Sequence, residues 1–185
     1  MNIFFDTEFD GLNKGAHLIS LGMITETGEE IYCEFGGINT EIQDEWIKKN
    51  VLDNTIMYGD KDTVDLLHDK TLYYRGNKNE IKNSLLAWLS QFDNVQLISD
   101  VCHYDMTLFI DIFGTAFDLP NNICPYCHDI NQDIADYLNI SDKEAFDLSR
   151  EELLDKYNIT VSGNKHNSLY DAIVIKKIYE LIRGE

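Results

Sequence analysis

Two acidic residues near the start of the chain have the spacing of a metal site. Asp6 and Glu8 follow an apolar run at positions 3–5, which predicts a buried strand. Side chains two positions apart on a strand point to the same face, so the two carboxylates lie together while Thr7 points to the opposite face. Two neighbouring carboxylates at the end of a buried strand repel each other and lose hydration, and a cation between their oxygens offsets both costs. A hard divalent cation is the natural candidate, because it prefers oxygen ligands. A strand that simply ends in solvent is the alternative interpretation.

Further acidic residues follow at the ends of later elements. Asp105 opens a helix just after a predicted strand, at the carboxyl edge where open α/β sheets bind ligands. Asp171 lies on the first turn of the last predicted helix, and His166 precedes that helix on a loop. Each residue also has a structural explanation: Asp105 as a first-turn acid, Asp171 in a capping box that starts at Ser168, and His166 as an exposed loop residue. Because four acids and one histidine arrive at the ends of adjacent elements, we favour a shared site.

The hydrophobic pattern predicts the elements that position these residues. Alternating residues around a turn at 27–28 predict a hairpin, and Asn77 with Glu80 resembles a capping box before a helix. The predicted strands lie at 3–5, 17–24, 30–35 and 95–99, with a further possible strand at 119–127, and the predicted helices lie at 81–92, 106–113, 130–138 and 168–183. Short helical pieces are expected within 38–79. This order predicts one α/β domain over residues 1–185, with a mixed sheet of about five strands flanked by helices.

The composition describes an ordinary globular protein with an acidic charge. The 185 residues include 33 acidic and 15 basic ones, and the formal net charge is −18. Phosphate binding normally draws on Lys and Arg, so the charge argues against nucleic acid, although metal ions can bridge an acidic protein to phosphate. A non-enzymatic acidic binding module is therefore one alternative. No apolar run approaches the roughly 18 residues that span a bilayer, and no secretory signal is recognisable, so we expect a cytoplasmic protein without a membrane partner.

Taken together, the motifs resemble the DEDDh 3′→5′ exonuclease superfamily, which has an RNase H-like fold. The resemblance rests on Asp6-x-Glu8, on Asp105 preceded by an aromatic residue, and on His166 five residues before Asp171. It covers nearly the whole chain, and the segments 46–52 and 166–172 resemble a smaller branch of compact mycobacterial exoribonucleases and related phage exonucleases. One departure lies in the second motif, where the superfamily usually has Asn four or five residues before its acid and this chain has Asp100. Asp100 is a second candidate for the metal-facing acid, or a group that helps to position substrate.

The resemblance implies a metal-dependent hydrolase that removes nucleotides from the 3′ end of a single strand. It implies two Mg²⁺ or Mn²⁺ ions, with Asp6 bridging them, Glu8 and Asp171 completing one, and Asp105 serving the other partly through water. It also implies that His166 accepts a proton from the attacking water. RNA is favoured over DNA as the substrate, the products are nucleoside 5′-monophosphates, and homodimers are common in such enzymes.

Several further residues are candidates for substrate contact. Phe9 is expected to stack on the terminal base, although ordinary packing is the alternative. Lysines near the last motif are the candidates for phosphate contact, with solvated lysines as the alternative. The complete set of candidates is Thr7, Phe9, Tyr104, Lys165, Lys176 and Lys177.

A cysteine pair offers a different function. Cys124-Pro-Tyr-Cys127 looks like the redox pair of glutaredoxins. A thiol-redox pair belongs after the first strand, at a helix N-terminus near the chain start, whereas this pair lies two-thirds along the chain. We therefore keep a thiol-redox protein only as an alternative to the nuclease.

Overall fold

The computed structural model describes residues 1–13, 15–36, 44–56 and 70–184 in full, and residues 65–68 as backbone. The strands are β1 (Asn2–Phe9), β2 (Leu18–Thr25), β3 (Glu30–Phe35), β4 (Asp65–His68), β5 (Thr71–Gly76), β6 (Val95–Ser99) and β7 (Ile123–Asp129). The helices are α1 (Glu45–Asn50), α2 (Lys78–Leu89), α3 (His103–Phe113), α4 (Ile130–Leu138), α5 (Asp142–Asp147), α6 (Arg150–Lys156) and α7 (Ser168–Arg183). Short 3₁₀ helices lie at Leu52–Asn54 and Ala116–Asp118.

The strands of the described residues form one mixed sheet in the order β4-β5-β3-β2-β1-β6-β7. β1, β2 and β3 are an antiparallel meander, and β6 runs parallel to both β1 and β7. This architecture confirms the predicted RNase H-like α/β class with a mixed sheet, the hairpin, and the possible strand at 119–127, which is β7. The described residues form seven strands where about five were predicted. The prediction of short helical pieces within 38–79 is right for α1 and wrong for β4 and β5. β5 pairs in parallel with β3 across a long connection, and such a distant pairing leaves no local pattern in the sequence.

The first strand lies at the centre of the sheet and is buried on both faces. Ile3 and Phe5 pack into the cluster that α2 and α3 form on one face, whereas Phe4 packs against α4 and α7 on the other. Because the alternation continues along the strand, Asp6 and Glu8 emerge on the α7 face and Thr7 emerges on the α3 face. The register of one strand therefore decides which side of the sheet receives each polar group.

Local signals set the ends of the helices. Asn77 and Glu80 form the predicted capping box at the start of α2. α3 begins at His103, three positions before the predicted start, and ends at Gly114, whose φ of +119° favours glycine. The N-cap of α7 is Asn167, so the capping box that would have started at Ser168 is not formed. Within the described residues, no helix is both long enough and apolar enough to cross a membrane.

Helix α7 lies directly on β2 at Gly22. A Cβ atom at this glycine would come within 2.2 Å of the backbone nitrogen of Leu169. Beside this contact, the hydroxyls of Ser20 and Ser168 hydrogen-bond at 2.9 Å, both of them buried. The approach fixes the height of the first turn of α7 above the sheet, and this is the turn that carries Asp171.

Replacing Gly22 by Ala is expected to destabilise the fold strongly, because the new methyl group must push α7 away from β2. We expect a loss of at least about 3 kcal/mol, the upper part of the range for overpacked cores. The matched control is Gly28→Ala, where φ is +97° and no atom lies within 4 Å of the new Cβ. That control should lose only the roughly 1–2 kcal/mol of a left-handed alanine. Urea denaturation of both variants measures the difference, and equal midpoints would contradict the tight packing.

Candidate active site

The end of β1 and the start of α7 bring three of the predicted site residues together. Ligand atoms of Glu8, His166 and Asp171 all lie within 4.8 Å of one another. His166 lies on the loop before α7 and Asp171 on its first turn, which is the arrangement that lets residues five apart converge. The His166 main-chain N–H donates to Oδ2 of Asp171 at 2.8 Å, and its Nδ1 lies 3.8 Å from Oε1 of Glu8. Asp6 lines the same cleft of about 280 Å³.

Asp105 enters the site from the α3 face. Its Oδ1 accepts hydrogen bonds from the backbone N–H of Thr7 at 2.9 Å and from the Thr7 hydroxyl at 2.6 Å. Its Oδ2 accepts from the hydroxyl of Ser99 at 2.8 Å. Three protein donors therefore hold a carboxylate that is only 4% exposed. The Thr7 side chain is also buried. Thr7 was predicted to contact substrate, and in the structure its hydroxyl binds Asp105 instead.

Burial acts on all four acids, and repulsion between carboxylates of the cluster adds to it at Asp6 and Glu8. Burial, followed by repulsion from Asp105 and Asp171, raises the pKa of Asp6 well above its usual value. Burial also raises the pKa of Glu8 to about 8 and that of Asp171 to about 7. The pKa of Asp105 rises only to about 6, because the hydrogen bonds from Thr7 and Ser99 oppose the effect of burial. The cluster therefore holds protons near neutral pH unless positive charge is supplied.

These residues fit a divalent cation. In the described part of the chain, no Lys or Arg nitrogen lies within 4.0 Å of a carboxylate oxygen of Asp6, Glu8, Asp105 or Asp171. Carboxylate oxygens are the donors that Mg²⁺ and Mn²⁺ prefer, and a buried acidic cluster without a basic partner is stabilised by such an ion. The fit is one of donor chemistry and of charge.

Asp100 has a partner that the sequence did not reveal. Arg150 donates from Nε to one oxygen of Asp100 at 2.7 Å and from Nη2 to the other at 2.9 Å. Arg150 also donates to the carbonyls of Ala145 and Leu148 and to Asn131, whose amide in turn bonds Asp100. The charge of Asp100 is thus compensated, and Arg150 is only 9% exposed. This pairing favours a positioning role for Asp100, and it leaves Arg150 engaged with protein groups. Nothing in the spacing of the sequence marks this pair.

A second cleft of about 350 Å³ lies on the other side of β1. Phe9 and Tyr104 both line it, together with Leu12 and His103. Tyr104 is 43% exposed, and its ring lies 4.1 Å from that of His103. The structure therefore brings the two aromatic candidates to one surface, and the lining of this cleft includes none of the four site carboxylates.

The three lysines that were predicted to bind phosphate have different surroundings in the structure. Lys165 lines the cleft with the acids, and its amine lies 3.2 Å from Oε2 of Glu151. The expectation for Lys176 is wrong, since its side chain is buried and its amine donates to the carbonyls of Thr25 and Glu26. Lys177 pairs with Glu180 along α7.

The cysteine motif does not form a redox pair. Cys124 and Cys127 both lie in the extended strand β7, and neither is in a disulfide. A thiol-redox pair belongs at a helix N-terminus, and a strand does not provide that environment. Burial also raises the pKa of Cys127, which disfavours the reactive thiolate.

Comparison with known proteins adds a family and a fold. Residues 1–183 match the family described as the 3′-5′ exoribonuclease Rv2179c-like domain. No curated protein sequence matches. Pop2p of S. pombe, solved with Mg²⁺ and Mn²⁺ bound, has a TM-score of 0.64 at 17% identity, over 100% of this chain and 83% of that one. The nuclease domain of 3′hExo, a DEDDh family member bound to rAMP, has a TM-score of 0.64 at 16% identity, over 98% and 90%. At such identities these likenesses show the fold alone.

The carboxylate cluster predicts an unusual dependence of stability on pH in metal-free protein. The folded state holds protons on Glu8, Asp105 and Asp171 that the unfolded chain releases near pH 4, so stability is lost as the pH rises from about 4 towards 8. Between pH 5 and pH 8 in the presence of a chelator, we expect Tm to fall by at least roughly 4–8 °C, which corresponds to about 2 kcal/mol in a domain of this size.

Mn²⁺ should raise Tm more at pH 8 than at pH 5, because the ligands are then ionised and binding to the folded state stabilises it. Asp6→Asn removes one of the repelling charges, so its metal-free Tm should depend less on pH. Thermal unfolding followed by circular dichroism measures both effects. A metal-free Tm that rises from pH 5 to pH 8 would contradict the raised pKa values.

Proposed function

Since the chain belongs to the 3′-5′ exoribonuclease Rv2179c-like family and is a 3′-5′ exonuclease, we propose that it hydrolyses single-stranded RNA from the 3′ end with two divalent ions. The observation that carries the proposal is the cluster of Glu8, His166 and Asp171 beside Asp6. The family match also confirms the resemblance to DEDDh exonucleases. Membership of an enzyme family replaces both alternatives, the redox protein and the non-enzymatic acidic module.

The proposed cofactor is a pair of Mg²⁺ or Mn²⁺ ions held by the four acids. Asp6 would contribute to both ions, Glu8 and Asp171 to one, and Asp105 to the other through water. The indirect role of Asp105 is supported by its oxygens, which already accept three hydrogen bonds from Thr7 and Ser99. When bound, the ions neutralise charge on the attacking and leaving oxygens of an in-line displacement at phosphorus. Pop2p was solved with Mg²⁺ and Mn²⁺ bound, which supports this choice.

His166 is the proposed general base. Burial, followed by the charge of Lys165, lowers the pKa of its imidazole, which keeps the ring neutral and able to accept a proton at neutral pH. The ring is 30% exposed and lines the cleft that holds the acids, so water can reach it. The imidazole would accept the proton of the attacking water, and the carboxylates would serve as metal ligands.

The aromatic cleft is the proposed site for the terminal bases. Phe9 and Tyr104 offer ring faces on which an unpaired base can stack, and a base within a duplex is not available for such contact. The rAMP bound to 3′hExo and the description of the family support a ribonucleotide substrate. Lys165 would contact phosphate once it leaves Glu151, and the small number of such lysines implies modest affinity.

Two further parts of the proposal concern the setting of the enzyme. A cytoplasmic location fits a nuclease that acts on single-stranded RNA. A homodimer is proposed because the resembling enzymes often form one. The homodimer is supported by the resemblance, and both the dimer and the location stay predictions.

The first test of the function uses a 3′-labelled RNA oligonucleotide with Mn²⁺. We expect release of labelled nucleoside 5′-monophosphate first, little attack on a duplex end, and slower cleavage of the matching DNA. Asp6→Asn should lose more activity than the roughly 10–100-fold that follows removal of an outer-shell partner.

Asp111→Asn is the matched control, because Asp111 is an exposed acid on α3 that pairs with Lys78. It should leave activity unchanged. Cleavage within a circular single strand, or equal activity of Asp6→Asn and wild type, would contradict the proposed function.

The second test separates base catalysis from metal binding. His166→Ala leaves all four acids in place, so Mn²⁺ affinity measured by calorimetry should change little. Turnover should fall by about 10²–10⁴, the usual contribution of a general base. A loss of Mn²⁺ binding would instead make His166 a ligand, and full activity would exclude it from the reaction.

A further inference from the structure

His166 adopts a backbone conformation that needs outside support. Its φ is +63°, in the left-handed region that is unfavourable for residues with a Cβ. Its main-chain N–H is held by Asp171 at 2.8 Å, but its imidazole faces Glu8 at 3.8 Å, which is too long for a hydrogen bond. The orientation of the ring therefore depends on the residues that flank His166 and on what the ring packs against.

The segment 45–54, which comprises α1 and the following 3₁₀ helix, lies beside this loop and is anchored to the sheet. Its anchor is a small cluster of buried residues: Ile19, Ile47, Val51 and Leu52. Just beyond the segment, the N–H of Ile56 donates to the buried carboxylate of Glu34 at 2.5 Å. The segment thus has its own attachment to the sheet, separate from α7.

Asn54, at the end of this segment, contacts the chain on both sides of His166. Its Nδ2 donates to the carbonyl of Lys165 at 3.0 Å, and its own carbonyl accepts from Nδ2 of Asn167 at 2.8 Å. The second amide hydrogen of Asn54 goes to the carbonyl of Asn50 at 2.6 Å, which fixes the side chain. Because the two contacts fall immediately before and after His166, they restrain the left-handed residue between them.

Trp46, at the start of the same segment, contacts the imidazole itself. The rings of Trp46 and His166 meet edge to face, with centroids 5.0 Å apart and an interplanar angle of 73°. Trp46 is 56% exposed, so it contributes little to the core. An aromatic edge-to-face contact has a defined geometry, and it restricts the rotation of the imidazole.

We propose that Asn54 and Trp46 are positioning residues that hold His166 in its catalytic orientation. This inference rests on the proposed function, in which His166 is the base. Asn54 fixes the backbone of the loop and Trp46 fixes the ring, and neither contacts a carboxylate of the metal cluster in the described structure. Both act only through His166, so their effects must vanish when His166 is absent.

The experiment is a double-mutant cycle in the full chain with Mn²⁺ and a 3′-labelled RNA oligonucleotide. The four proteins are wild type, Asn54→Ala, His166→Ala and the double variant. In the wild-type background, Asn54→Ala should lower kcat by roughly 10–100-fold, as expected for a misplaced catalytic group, with KM and Mn²⁺ affinity little changed. In the His166→Ala background it should change kcat by less than about twofold.

Two matched variants test the individual contacts. Asn50→Ala removes a side-chain amide from the same segment. This amide donates to the carbonyl of Trp46 and does not contact the loop that carries His166, so the variant should keep the wild-type kcat. Trp46→Ala should lower kcat, and Trp46→Phe should restore much of it because a ring edge is again available to His166. Loss of kcat in Asn50→Ala equal to that in Asn54→Ala would overturn the inference.

The outcomes distinguish the inference from the function beneath it. Full activity of His166→Ala would show that His166 is not the general base, and the positioning role of Asn54 and Trp46 would then be overturned as well. A large loss in His166→Ala with normal kcat in Asn54→Ala would overturn the positioning role and leave the proposed function standing. Equal losses from Asn54→Ala in both backgrounds, or a loss of Mn²⁺ affinity, would show that Asn54 acts on the fold or the metal site instead.

Discussion

The repulsion among four buried carboxylates is the constraint on which the rest of the structure depends. Burial raises the pKa values of Asp6, Glu8, Asp105 and Asp171, and repulsion from neighbouring members of the cluster adds to it at Asp6 and Glu8. Because side chains alternate along β1, the carboxylates are distributed over the two faces of the sheet. The α7 face receives Asp6 and Glu8, whereas Thr7 reaches the α3 face and holds Asp105 there. A central strand buried on both faces supplies the rigid base that such a cluster requires.

The packing around the cluster consists of contacts with little freedom. Gly22 lets α7 approach β2 so closely that Leu169 backbone occupies the place of a side chain. Arg150 fastens the wall of the cleft to Asp100 through both of its carboxylate oxygens. Neither residue supplies a ligand or a proton, yet each fixes an element that lines the site. The geometry of the acids therefore depends on packing as much as on the acids themselves.

The sequence predicted the parts of the site that follow from local rules. Alternation placed Asp6 and Glu8 together, and the loop before α7 allowed His166 to meet Asp171. Side-chain partners across long separations were not predictable, because a buried Arg150 or a clamping Asn54 leaves no period or spacing in the chain. The same reason explains β5, whose parallel partner β3 lies far away in the sequence. Lys176 shows the converse error, since proximity in sequence to the last motif suggested phosphate contact and the fold buried its amine against two carbonyls.

The segment 45–54 and the elements that carry the carboxylates should differ in local stability. The carboxylates are carried by β1, α3 and α7, which pack into the two large clusters on the faces of the sheet. Among the residues that the structure describes, the segment beside His166 is held by a cluster of four buried side chains. Regions with few buried apolar contacts open first in native proteins, well before the global transition. On warming, we therefore expect a state in which the carboxylates keep their positions while the segment 45–54 has detached and the His166 imidazole is free to rotate.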